Sequence, residues 1–261
     1  MALLHADNLS KSFGSVIAAD RIEVSIEEHE VIGIIGANGA GKTTFVNMVT
    51  GYLKPSSGRI FYQGRDITPL SPRDITRLGI CRSFQVPQVF TSLSAFDNLM
   101  LALGVAQKGM LHLLRPLRRK ELIDAADAIL ARYDIAEYRD QPAGLLPQGV
   151  RKLLDIAMAM VHDPNLVLLD EPTSGVSVQE KYGIMDVVMA ALKDLGITVL
   201  FVEHDMDIVE RYAKRVLAFY EGAIISDGDP DTVLKDDQVR RFVIGEEPQA
   251  TRPQTAGATH A

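Results

Sequence analysis

Residues 36–44 read GANGAGKTT, with Lys42, Thr43 and Thr44 following directly on a glycine-spaced run. That order of residue types suits phosphate binding. Across Gly36, Ala37, Asn38, Gly39, Ala40 and Gly41 the backbone can wrap an anion without side-chain clash. Successive N–H groups point inward, and the positive end of the following helix adds its partial charge. Lys42 then reaches the β- and γ-phosphates, and the Thr43 hydroxyl is placed for Mg²⁺. The apolar run VIGII before the loop and FVNMVTGY after it supply the strand and helix this geometry needs. The pattern predicts a chain that binds a nucleoside triphosphate.

A second group with chemistry is LVLLDEPTSG at 166–175. An apolar strand ending in two carboxylates carries Asp170 to the C-terminal edge of a sheet, where α/β folds bind ligands, and aims it at the Mg²⁺ of the nucleotide. Glu171 is the next residue and can polarise a water for in-line attack on the γ-phosphate. Standing alone, the pair reads equally well as solvated carboxylates at a strand end. The phosphate loop upstream decides for the catalytic reading.

The elements that must position these groups follow from periodicity. Short β-type runs come first, LLHADNLSKSF, VIAADRIEVSI, VIGIIG and GRIFYQGRDI, with the phosphate-loop helix before the last. From about 94 to 138 the sequence turns helical, with a break at Pro116. RKLLDIAMAMVH then reads as an amphipathic helix, NLVLLDEP as a buried strand, VQEKYGIMDVVMAALKDLG as a helix and ITVLFVEHD as a strand. This is the βαβ alternation of a parallel sheet. The expected organisation is one α/β domain over 1–245, a helical subdomain inserted at about 94–160, and a disordered Thr-, Ala- and Pro-rich tail at 246–261.

Composition narrows the function. The 261 residues are 47% hydrophobic, and 27 basic against 34 acidic residues leave a net charge of −7. That balance argues against nucleic acid as the main partner. A single cysteine, Cys81, allows no internal disulfide and no thiolate metal cluster, which suits a reducing cytosol. No leader-like N-terminus and no apolar run of about 18–20 residues is present, so a membrane role is expected to be peripheral.

From Leu4 to about Gly245 the chain resembles the ATP-binding subunits of ABC transporters. Beyond the two motifs above, five elements fall in that family's order. Phe13 in SKSFG matches the aromatic that stacks on adenine. Gln85 in RSFQ matches the glutamine that touches Mg²⁺ and the attacking water, and His204 in FVEHD the switch histidine at the γ-phosphate. Leu146, Pro147, Gln148, Gly149 and Val150 occupy the signature that contacts the partner's ATP, and Thr173, Ser174, Gly175, Val176 and Ser177 the loop that crosses to the partner. Alone, Phe13 reads as a core aromatic, Gln85 as a surface amide and His204 as a satisfied strand-end histidine; their joint order overturns those readings. The resemblance implies a P-loop NTPase fold with mixed and parallel sheet, ATP and Mg²⁺ as ligands, and ATP hydrolysis on the cytoplasmic face of the cell membrane.

The chain departs from the family at two motifs. Pro147 stands where a serine hydroxyl normally bonds the opposite subunit's γ-phosphate, with Gln148 and Val150 in place of a glycine and a glutamine, and Ser177 replaces an aspartate. Because two subunits sandwich ATP head to tail, the resemblance implies that this chain pairs with a different ATPase subunit, alongside membrane permease subunits and, indirectly, a solute-binding protein. The insert GVAQKGMLHLLRPLRRKEL and the ending DPDTVLKDDQVRRFVIGE look like the larger ATPase subunit of branched-chain amino acid importers. Urea and amide importers and the lipopolysaccharide-export ATPase share much of this pattern, and a soluble ABC-type ATPase or a nucleotide-binding regulator are the other classes weighed. The cluster Arg115, Arg118, Arg119 and Lys120 reads as a solvated helix face ahead of an anionic-lipid contact. Phe84, Phe90 and Phe96 read either as a groove for a short helix of the membrane subunit or as core.

Overall fold

A computed structural model gives the structure of the chain and describes residues 2–83, 86–107 and 116–245. Phe84, Gln85, Arg115 and the 246–261 segment lie outside the described residues. Two sheets face one another. The first is antiparallel, in the order β2-β1-β4-β5, from β1 (Leu4–Phe13), β2 (Val16–Ile26), β4 (Ser57–Tyr62) and β5 (Arg65–Asp66). The second has the order β10-β9-β3-β8-β7-β6, from β3 (Val31–Gly36), β6 (Ile80–Ser83), β7 (Leu166–Asp170), β8 (Thr198–Val202), β9 (Arg215–Tyr220) and β10 (Ala223–Gly228). Its pairs from β9 to β6 are parallel, and β10 closes one edge antiparallel.

Period-two alternation divides the core. Ile32, Ile34, Leu166, Leu168, Leu200, Val202, Leu217 and Phe219 face the antiparallel sheet and the phosphate-loop helix α1 (Lys42–Val49). Their neighbours Ile35, Val167, Leu169, Val199, Phe201, Val216 and Ala218 face the helical layer. Both faces of the parallel strands are therefore covered, which is why β7 and β8 are apolar at nearly every position. Phe45 of α1 packs on Phe219 of β9 with ring centroids 5.6 Å apart, seating the helix behind the loop that precedes it.

The helical layer contains α3 (Ala95–Ala106), α4 (Lys120–Arg132), α5 (Gln148–Ala159), α6 (Val178–Asp194) and α7 (Met206–Tyr212), while α2 (Pro72–Arg77), α8 (Pro230–Val233) and α9 (Asp237–Val239) are short connectors. Fully buried Asn98 accepts from the Phe90 amide at 2.8 Å and donates to the Phe90 and Ser94 carbonyls at 3.1 and 2.9 Å. That loop binds the segment leading to α5 through Ala143 N to Leu93 O and Gly144 N to Thr91 O, both 2.8 Å. The run GRIFYQGRDI is two strands rather than one, because Gln63 and Gly64 both take positive φ and turn the chain.

Candidate functional site

The topology brings the candidate residues together. Because β8 lies between β3 and β7, Gly36, Val202 and Asp170 end side by side at one sheet edge. Glu203 N donates to Ile34 O at 3.3 Å and Glu171 N to Val202 O at 3.0 Å, which fixes the loops leaving β8 and β7 against each other. Together with the phosphate loop they line one polar cavity of about 140 Å³, formed by Asn38 to Thr44, Glu171, Val202 and His204.

The loop joins β3 directly to α1. Gly41 takes φ 104° at the N-cap of α1, and a Cβ there would lie 2.7 Å from the Ala18 carbonyl of β2, so glycine is required twice over. Ala37, Asn38 and Gly39 are exposed, and Ala40 and Lys42 are buried. The Lys42 ammonium donates to Gly36 O at 2.6 Å and Ala37 O at 3.1 Å, curling over the loop. Burial lowers its pKa, and Glu171 and Asp170 offset part of that effect. Thr43, in the first turn of α1, is exposed on the cavity wall.

Asp170 is 8% exposed, and the Arg82 guanidinium of β6 donates to it at 2.5 Å while also donating to Asn47 of α1 at 2.6 Å. Arg82 thus links the helix after the phosphate loop to the end of β7, a contact that no local sequence pattern marks. Glu171 has φ +49°, in the left-handed region, and its Oε1 lies 3.2 Å from His204 Nε2. The histidine is 43% exposed but sits between two anchored neighbours. Buried Glu203 accepts from Thr173 N at 2.9 Å and Thr173 Oγ1 at 2.7 Å, and burial raises its pKa against those hydrogen bonds. On the other side Asp205 caps α7 and pairs with Lys181 of α6 at 2.6 Å.

The signature-like segment opens α5. Pro147 is its N-cap and its carbonyl accepts from Arg151 N at 3.0 Å, so a residue without an N–H sits where none is needed for the helix. Leu146 and Gly149 are buried, Pro147 and Gln148 exposed, and Val150 half-buried. A Cβ on Gly149 would meet Ile184 Cδ1 of α6 at 2.9 Å, so that glycine is also a packing contact. The Gln148 amide lies against Gly175, which ties the signature-like segment to the loop at 173–177. Ser177 caps α6 in a complete capping box with Glu180, a pattern legible in the sequence and not used there.

Of the aromatics, Phe13 is 51% exposed at the end of the β1–β2 hairpin, with Lys11 Nζ 5.2 Å from its ring centre. The core reading does not apply to it. Phe90 is exposed as well, whereas Phe96 is buried under the Arg139 guanidinium at 3.8 Å and belongs to the core. In the basic cluster, Arg118 pairs with Asp97 and Arg119 donates to Gln107.

A phosphate-binding loop facing two carboxylates and a histidine, at the carboxyl edge of a doubly covered parallel sheet, defines a nucleotide-hydrolysing P-loop α/β protein. The family model for ABC transporters matches residues 19–174. The chain is 34% identical to the probable branched-chain amino acid transport ATP-binding protein LivG of Archaeoglobus fulgidus, over 94% of this chain and 96% of that one. It is 30% identical to the high-affinity branched-chain amino acid transport ATP-binding protein LivG of Escherichia coli, over 94% and 98%. A crystal structure of the ADP conformation of an ATP-binding cassette of an ABC transporter superposes with a TM-score of 0.82 at 32% identity, covering 94% of this chain and all of that one. The chain belongs to the ABC transporter family and is one of its ATP-binding, ATP-hydrolysing subunits. Among the described residues no helix is long and apolar enough to cross a membrane.

Proposed function

We propose that this chain is the energy-coupling ATPase of an importer for branched-chain amino acids, held peripherally on the cytoplasmic face of the membrane by permease subunits. The observation that carries the ATPase reading is the Glu171–His204 pair facing the phosphate loop across one cavity. The solute class is supported by the names of relatives that match over almost the whole chain.

Phe13 stacks on the adenine, and the 37–41 amides with Lys42 hold the phosphates. Glu171 takes the proton of the attacking water, and His204, in contact with Glu171, bonds the γ-phosphate and orients the base. The oxygen donors Thr43 and Asp170 suit Mg²⁺, which binds through few protein ligands and keeps several waters; the Asp170 carboxylate itself is held by the Arg82 guanidinium. Bound there, Mg²⁺ would neutralise charge on the phosphates. Gln85 completes the set as the residue expected to sense metal and water. A groove of about 260 Å³ lined by Tyr52, Arg82, Gln88, Ala102, Asp155 and His162 offers a permease helix a surface connected to the site through Arg82. The degenerate signature at 146–150 makes this chain one half of an unequal ATPase pair, and a solute-binding protein delivers the amino acid from outside.

Glu171→Gln tests the chemistry. ATP binding should persist while hydrolysis falls about a hundredfold or more; parent-like hydrolysis would remove Glu171 from its role. Uptake of labelled leucine, isoleucine and valine by proteoliposomes containing the permeases, with that variant as control, tests the solute class.

A further inference from the structure

Lys152 sits on α5, behind the signature-like segment, with only 4% of its surface exposed. Its ammonium donates to the main-chain carbonyl of Glu171 at 2.7 Å and to Ser174 Oγ of the crossing loop at 2.8 Å. Burying an ammonium is costly, and burial lowers this pKa, with Glu203, Glu171, Asp155 and Asp170 opposing the shift. The two donors are not spent on a carboxylate. They go to a backbone oxygen and a hydroxyl, the polar groups that set the path of residues 171–174.

That path needs support. A left-handed backbone in a residue with a Cβ costs free energy and persists only where the surroundings over-determine it. At Glu171, φ +49°, the amide is held by Val202 O at 3.0 Å and the carbonyl receives both Lys152 Nζ and the Ser174 amide, the latter at 3.1 Å. One of these ties comes from a different layer of the molecule. Lys152 reaches across from α5 to the end of β7, so the main chain carrying the Glu171 side chain is referenced to the helix that begins at Pro147.

We infer that Lys152 is a positioning residue for the hydrolytic base, locking the left-handed main chain of Glu171 and fixing it to the signature helix. The inference rests on the reading of Glu171 as that base. It assigns Lys152 no contact with the nucleotide, so the ground-state affinity for ATP is independent of it. What Lys152 supplies is the aim of the carboxylate at the water, and small misplacements of a reacting group are costly in rate.

Turnover is read in the reconstituted transporter with Mg·ATP, and ATP binding and hydrogen exchange in the isolated chain, each with four forms of this subunit: parent, Lys152→Met, Lys152→Arg and Glu171→Gln. Lys152→Met should lower kcat about tenfold to a hundredfold while the dissociation constant of ATP, measured by titration calorimetry, changes by less than about twofold. Lys152→Arg keeps a buried donor and should recover most of the rate. Amide hydrogen exchange at 171–174 should speed up in Lys152→Met and return towards the parent in Lys152→Arg. Parent-like hydrolysis by Glu171→Gln would reject the base itself. If Glu171→Gln is inactive while Lys152→Met turns over like the parent, or if Lys152→Met loses rate and ATP affinity together without rescue by arginine, the positioning role is overturned. Should Lys152→Met not fold, Lys152→Gln carries the comparison, with a partial loss of kcat at unchanged ATP affinity expected and a parent-like kcat overturning the inference.

Discussion

The ion pair between Arg82 and Asp170 is where energetics and function are most tightly joined. Their side chains are 8% and 10% exposed, and the guanidinium also holds Asn47. Arg82→Met keeps most of the aliphatic stem and removes the charge, stranding the Asp170 carboxylate in a poorly hydrated place. Removing one member of such a pair costs about 3–5 kcal/mol, because the remaining buried charge is uncompensated, and the lost Asn47 contact adds about 1 kcal/mol. Against a domain stability of about 5–15 kcal/mol, this is a large fraction. Asp170→Asn should also be costly, since it leaves the guanidinium facing a neutral amide, whereas the double variant removes both charges and should lose less than the sum by about 2 kcal/mol or more. Equilibrium urea unfolding of the four proteins gives the coupling directly. Single costs that add to within about 0.5 kcal/mol would refute the pair as an energetic unit. The same series reports on metal binding. If Asp170 accepts Mg²⁺, a second cation reaches the stranded carboxylate, so Mg·ADP should restore Arg82→Met more than ADP with a chelator does. Equal restoration by both would remove Asp170 from the metal site.

Three further changes have defined outcomes. Phe13→Ala, at an exposed ring, should weaken ATP binding by on the order of 1 kcal/mol through lost stacking, with little effect on inorganic triphosphate; equal weakening of both ligands would give Phe13 a purely structural role. Ser177→Ala should cost about 1 kcal/mol in urea unfolding because it breaks the α6 capping box, whereas Ser177→Asp should be nearly neutral, since aspartate caps as well as serine. The hydrogen bond from Lys181 holds Asp205 below the usual carboxylate pKa of 3.8, so its charged form favours the folded state. That stability is present above the usual value and lost as pH falls through the depressed one, so Asp205→Asn should be destabilised at about pH 7, by no more than about 1 kcal/mol for a partly exposed pair. The gap from the parent should close in acid, and a pH-independent gap would show that charge is not the cause.

What could be read from the sequence was whatever one local pattern specifies. The phosphate loop, the all-apolar β7 and β8 and the long helix α6 each declare themselves through spacing, turn residues or length, and their alternation gives the parallel sheet. The connections that make the site were not legible, because they join residues far apart in the chain. Arg82 to Asp170 spans 88 positions and Lys152 to Glu171 spans 19, and no periodicity marks either. A buried lysine in an amphipathic helix looks like a residue of the polar face until the facing strand end is known. Nothing in the sequence marks Gly149 as the packing partner of Ile184, since that contact depends on how closely α5 and α6 approach. The division of 57–66 into two strands has a local cause, the Gln63–Gly64 turn, whose glycine is a signal present in the sequence.

The altered signature becomes physically coherent when its residues are separated by task. Gly149 is retained because a Cβ would strike Ile184, whatever it does for a nucleotide. Ser177 is acceptable in place of aspartate because the position's structural requirement is a helix cap, which both residues satisfy. Pro147 is different: as N-cap it preserves the start of α5 but offers neither a hydroxyl nor an N–H to an anion. The helix therefore tolerates proline at this position, which carries no hydroxyl and no N–H donor. Lys42, Asp170, Glu171 and His204 meanwhile stand in one place with their partners intact. Under the proposed unequal pairing, this chain keeps Lys42, Asp170, Glu171 and His204 together at its own loop and relaxes the segment at 146–150.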